Sequence, residues 1–216
     1  MRTTTTVAAI AAAATATTAA AQFDVVGGQT SVLLDTATLS AAASLDLSGV
    51  AGPVIAPGEL GADSVAFPIN PRDAASLPTT FSYDNGLASF SGTIEHTGSV
   101  LFNNNDVEVG NFTIAFDANR ATGNNSGFFV ESTTGIAAIL FDVEAPSAVV
   151  ANSSSLQITA NLLVSPEFAT FLTDNGLASS DLTGADVGDA FVNAIPAPPA
   201  AAILGVAGLA ATRRRR

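Results

Sequence analysis

The sequence predicts an all-β fold, a two-sheet sandwich or jelly roll, and three observations carry that reading. Short β-branched and aromatic runs recur along residues 22–195, Gly, Asn, Asp and Pro punctuate them, and no stretch between sustains a 3.6-residue apolar period. Candidate strands cover 31–35, 44–50, 64–69, 89–95, 99–102, 107–116, 127–131, 136–143, 155–164 and 187–194. Many short strands joined by Gly-rich or Asn-rich turns bury their apolar faces against one another in two layers.

Each element has its own signal. Alternation in 111–116 sets Phe112, Ile114 and Phe116 on one face, which is predicted as core. Residues 136–141 are apolar throughout, as in a central strand covered on both faces. Ser165 as N-cap and Pro166 at the first helical position begin a short helix through Phe168 to Leu172, which would close one end of the sandwich. Thirteen Phe, one Tyr and no Trp make the aromatics hydrophobic filling rather than a binding platform. Thr80-Phe81-x-x-Asp84-Asn85-Gly86-Leu87-Ala88-Ser89 recurs as Thr170-Phe171-x-x-Asp174-Asn175-Gly176-Leu177-Ala178-Ser179. This is an old duplication or one turn used twice; the divergent flanks favour the turn.

Charge narrows the function classes. All nineteen acidic residues lie between Asp24 and Asp189, and the only basic residues among them are Arg72 and Arg120, so the body carries 2 − 19 = −17. Nucleic acid is thereby disfavoured as a partner, whereas cations, basic polymers or polysaccharide bridged by divalent ions are tolerated or attracted; solubility alone is the plainer reading of the charge. Cysteine is absent, which excludes thiol catalysis and disulfides. One histidine, His96, leaves a single candidate base for any triad.

Three constellations compete with ordinary structural roles. Oxygen-rich turns at 103–106, 117–125 and 181–189 suggest Ca²⁺, but an ion loop starting at Asp117 has Ala121 where a ligand belongs, so solvated turns are the simpler reading. The only tyrosine, Tyr83, and His96 are close enough in sequence to suggest a haem pocket; on a strand over 89–97, His96 would be exposed or at a strand end with a structural or surface role. Glycan hydrolysis needs two carboxylates about 5–10 Å apart, and nineteen acids guarantee chance pairs without a sugar-stacking platform beside them. No catalytic, cofactor or metal residue is assigned, and the body is read as non-enzymatic.

The two ends carry the most specific signals. Arg2, threonines and an Ala-rich stretch over 7–21 read as a secretory signal peptide, with Ala19 and Ala21 as the small residues before a cut at Gln22. At the other end Pro196-Ala197-Pro198-Pro199 breaks structure before an uncharged apolar helix over 200–211 and the cluster Arg213, Arg214, Arg215 and Arg216. Twelve helical residues rise ~18 Å against a hydrocarbon core of ~30 Å, a marginal transmembrane helix. Arginines directly after it stay cytoplasmic, so the body faces outward.

Proline motif, short apolar helix and arginine cluster together resemble the PEP-CTERM sorting signal, in a Pro-Ala-Pro variant with Ala197 where glutamate is usual. The resemblance covers about the last 21 residues. It implies a signal peptidase and an exosortase-like processing enzyme as partners, transient inner-membrane insertion, and delivery to the cell surface or the extracellular biofilm matrix. The stretch from Gly92 to Gly98 followed by Val109-Gly110-Asn111-Phe112 also resembles the β-rich ectodomains that accompany such signals. The predicted organisation is a signal peptide at 1–21, a β-sandwich ectodomain at 22–195 and a sorting signal at 196–216. The predicted role is structural or adhesive, with a haem- or carbohydrate-binding module, or a glycan hydrolase, as alternatives.

Overall fold

The computed structural model describes residues 22–197. Ala19, Ala21, Pro198, Arg213, Arg214, Arg215 and Arg216, with the predicted signal peptide and apolar helix, lie outside the described residues. Among those described, no helix is long and apolar enough to cross a membrane.

The chain is all-β with two short helices. In order it forms β1 (Phe23–Leu34), α1 (Thr36–Ala43), β2 (Leu47–Ala51), β3 (Val65–Pro68), β4 (Ser82–Tyr83), β5 (Phe90–Ser91), β6 (Ile94–Glu95), β7 (Ser99–Phe102) and β8 (Val107–Phe116). There follow β9 (Asn125–Gly135), β10 (Ala138–Glu144), β11 (Ala148–Asn152), β12 (Ser155–Val164), α2 (Pro166–Asp174) and β13 (Asp186–Pro196). The strands join in one 13-stranded sheet ordered β2-β7-β8-β9-β10-β12-β13-β1-β4-β5, with β3 added on β1, β6 on β8 and β11 on β12.

This sheet curls until it meets itself. β3 pairs with β1 and β6 with β8, and an antiparallel bridge between Ile69 and His96 joins the two additions. Asn70 N–H donates to the Glu95 carbonyl at 2.7 Å across the same seam. The two layers expected of a sandwich are thus facing walls of a continuous sheet, and closure satisfies backbone groups that free edges would expose. Curling is set in β1, whose ladder with β13 slips between Val25 and Gly27 and whose Gly28 lies at φ 117. The bend lets one strand serve β4 at its start and both β3 and β13 further on.

Strands over 99–102, 107–116 and 155–164 stand where the pattern put them. Elsewhere local chemistry intervenes. The expected 44–50 strand starts only at Leu47, because Ser44 is the left-handed C-cap of α1; the other end of that helix is N-capped by Asp35, whose carboxylate accepts from Thr38 N–H at 3.0 Å. The expected 89–95 strand breaks into β5 and β6 at Gly92, whose φ of 83 suits glycine and where a Cβ would stand 2.5 Å from the Thr80 carbonyl oxygen. β10 buries four consecutive residues, Leu140 to Val143, without a second covering sheet. A register shift between Ile139 and Phe141 turns both Leu140 and Phe141 inward, and Arg120 covers Asp142 from the other side.

α2 begins as predicted, with Ser165 Oγ accepting from Phe168 N–H at 3.0 Å and Pro166 in the first turn. The repeated ten-residue motif folds differently in its two copies. Its first copy enters the turn from β4 and its second from α2, and the two share only the left-handed glycines Gly86 and Gly176 at φ 82 and 68. Pro196, expected to break structure, is instead the buried last residue of β13, paired with Val25. A strand end is where proline's missing N–H costs no ladder bond.

Candidate functional site

The interior divides into two apolar clusters. One gathers Phe67, Phe112, Leu140, Leu162 and Phe168, and the other Phe23, Phe81, Tyr83, Ile94 and Leu156. A cavity of about 100 Å³ is lined by members of both. Every lining side chain is Val, Leu, Ile, Phe, Ala or Pro except Thr30 and His96. Phe168 of α2 and Leu39 of α1 line it as well, so both helices help to close the barrel-like interior.

His96 follows β6 at the seam and is 1% exposed; of the two placements expected, exposed or at a strand end, it takes the strand end. The Phe112 carbonyl accepts both its backbone N–H at 2.9 Å and its ring Nδ1–H at 3.0 Å. A carbonyl only accepts, so the proton sits on Nδ1 and Nε2 accepts from the Thr30 hydroxyl at 2.8 Å. Burial pushes the ring's pKa down to about 4, with the Phe112 carbonyl opposing. The imidazole is a neutral clasp between β1 and β8.

Tyr83 is fully buried, but its hydroxyl donates to the Asn152 carbonyl at 2.8 Å and it does not line the cavity. Burial raises its pKa. The polar atoms of both proposed haem ligands are therefore committed to protein partners.

The oxygen-rich turns serve the backbone. Asp117 accepts from Asn119 N–H at 2.9 Å, Asp181 accepts from Thr183 N–H at 2.9 Å, and Asn103 Oδ1 accepts from Asp46 N–H at 2.8 Å. Among the described residues no group of three or more acidic or His side chains is placed to hold a metal ion. The two most buried carboxylates are likewise engaged. Glu95 accepts from the hydroxyls of Thr93 and Thr113, each at 2.6 Å. Asp142 takes Arg120 Nε at 2.6 Å, while the two terminal nitrogens of Arg120 grip Glu167 at 2.7 and 2.9 Å. Arg120 also lies over the Phe129 ring, 5.5 Å from its centroid. Glu167 holds the guanidinium pKa above its ordinary value, and Arg120 holds the Glu167 carboxyl below its own.

At one end of the cavity the half-buried Leu87 and Pro146 join its lining. Phe128, also in the lining, packs against Phe90 and Phe116 with ring centroids 5.0 and 5.2 Å away. Phe116 is 41% exposed, so the face predicted as core from Phe112 to Phe116 runs from interior to surface. Sequence reasoning missed this cavity because its lining comes from strands far apart in the chain.

Of the sorting-signal residues, Gln22 is exposed at the start of the described chain. Ala197 N–H donates to the Asp24 carbonyl at 2.7 Å beside the Val25–Pro196 pair, so the two ends of the body lie side by side. No protein-family model and no curated protein matches this chain. Among solved structures, the fold is similar to one described as the C-terminal domain of HtaA from Corynebacterium glutamicum, with a TM-score of 0.50 and 15% identity over 81% of this chain and 99% of that one.

Proposed function

We propose that this chain is an exported cell-surface or matrix protein, delivered by a signal peptide and a PEP-CTERM-like tail, whose β-rich body acts structurally or by adhesion and not as an enzyme. The observation that carries the reading is the charge. The body holds 2 − 19 = −17, and both of its arginines are bound, Arg72 to Asp24 and Arg120 to Asp142 and Glu167. What remains for a partner is an acidic surface, suited to extracellular polysaccharide bridged by divalent cations and repelled by nucleic acid.

Two further features support it. Asp24 and Ala197 are hydrogen-bonded neighbours, so the two ends of the body next to the proposed sorting segments lie side by side. His96, the one side chain whose ordinary pKa is near neutrality, is a buried neutral clasp with both ring nitrogens occupied, which leaves no free general base of that kind.

The test is replacement of Arg213, Arg214, Arg215 and Arg216 by uncharged residues. Surface display should be lost because the apolar segment no longer halts in the membrane. Fractionation and intact-mass analysis read the outcome, and a mature surface form that still carries Arg216 would sink the processing step.

A further inference from the structure

We propose that the internal cavity is a binding site for a small uncharged apolar molecule of short-alkyl or single-ring size. This goes beyond surface delivery and does not depend on it.

Folded interiors pack like organic crystals and leave few voids larger than a water molecule. A space of about 100 Å³ at the centre of the curled sheet is larger than that. Its chemistry selects the occupant. Thr30 and His96 are the only lining side chains with polar atoms, and they are spent on each other and on the Phe112 carbonyl. A water molecule needs two to four polar partners, and a polar ligand needs its own donors and acceptors matched; neither finds them here. Walls of Leu, Ile, Val and Phe leave dispersion and solvent exclusion as the attraction, which suits alkyl or aryl groups.

Size sets the upper limit. An apolar cavity of roughly 150 Å³ stays dry and takes up benzene or xenon. One of about 100 Å³ suits a few carbons or one small ring, and it is too small for a sugar chain or a macrocycle.

The route in lies at the β4–β5 end. That hairpin has two-residue strands paired at only two positions, and its Leu87 lies at φ 60. Short ladders contribute little independent stability. Leu87 lines the cavity from the turn, so an outward swing of the turn uncovers the interior beside Phe128.

The test uses the full chain with benzene as the probe. Methyl NMR should show saturable shifts confined to lining residues such as Leu140, Ile158 and Leu162, and the melting midpoint should rise with benzene concentration. Ala160→Val adds bulk at a lining position and should cut benzene affinity at least tenfold; if that variant does not fold, Val130→Ile takes its place. Xenon under pressure should occupy the same site in crystals. Phenol should bind at least tenfold more weakly than benzene, because its hydroxyl would be buried without a partner. Absence of saturable benzene shifts together with an empty xenon map would overturn the proposal, as would equal affinities for benzene and phenol or unchanged benzene binding in the filled variants.

Discussion

His96 shows how one residue couples the seam of the fold to pH. Its folded pKa is about 4 and its ordinary value 6.5, so the unfolded chain takes up this proton first as pH falls. Above 6.5 both states are neutral and the group adds no pH dependence. Between 6.5 and 4 the unfolded state binds more protons, and stability is lost at ~1.4 kcal/mol per pH unit. From pH 7 to 5 the loss should be about 2 kcal/mol. Asp35, Glu167 and Asp181, whose pKa values are lowered, remain ionised in the fold over that range, so their contribution disappears only at lower pH. Urea midpoints at pH 7 and 5 for wild type and His96→Asn give the test: the wild-type difference should vanish in the variant, and an equal difference in both would assign the effect elsewhere. The strand-end position of His96 was legible in the sequence, but its burial was not: that depends on the Ile69–His96 bridge, from a segment some 27 positions away, and on the Phe112 carbonyl.

At the scale of elements, Arg120 ties three of them together: the turn before β9, β10 through Asp142, and α2 through Glu167. The Asp142 side chain is only 7% exposed and that of Glu167 is 44% exposed. Removing the guanidinium leaves a buried carboxylate without its cation, so Arg120→Gln should cost about 3 kcal/mol. Glu167→Gln removes only the outer partner and should cost at most ~1 kcal/mol. Denaturant midpoints of both variants check the ratio, and equal losses would refute the buried half of the pair. The pattern of legibility follows the same physics. Residues 111–116 alternate because Phe112 and Ile114 turn to the interior, and α2 announces itself through Ser165 and Pro166. β4 is too short at two residues for any period to register, and β11 carries exposed Val149 and Val150 in succession, so it does not alternate. α1, built from Thr, Leu, Ser and Ala, has no wide apolar stripe and is held by its Asp35 cap and by burial of Leu39 and Ala43.

For the whole molecule the strongest electrostatic force on the fold is self-repulsion. A body of 2 − 19 = −17 whose two cations are already bound has no further positive side chain among its described residues. The repulsion is concentrated where Asp35, Asp63, Asp186 and Asp189 line one open cleft beside α1. Unfolding relieves it by separating those charges, so the folded state is penalised most when screening is weak. The Debye length falls from ~30 Å at 0.01 M to ~3 Å at 1 M salt, which takes the repulsion from nearly unscreened to nearly absent. The Arg120 pairs oppose the trend only slightly, because partly buried ion pairs are screened less than exposed charges. The melting midpoint of the full chain at pH 7 should therefore rise steadily between ~0.01 and ~0.5 M NaCl. CaCl₂ at matched ionic strength separates screening from chelation: an equal rise marks screening alone, and a larger one would place bound calcium among the acidic turns. A midpoint that stays flat or falls with added NaCl would show that the acidic surface does not govern the stability of this fold.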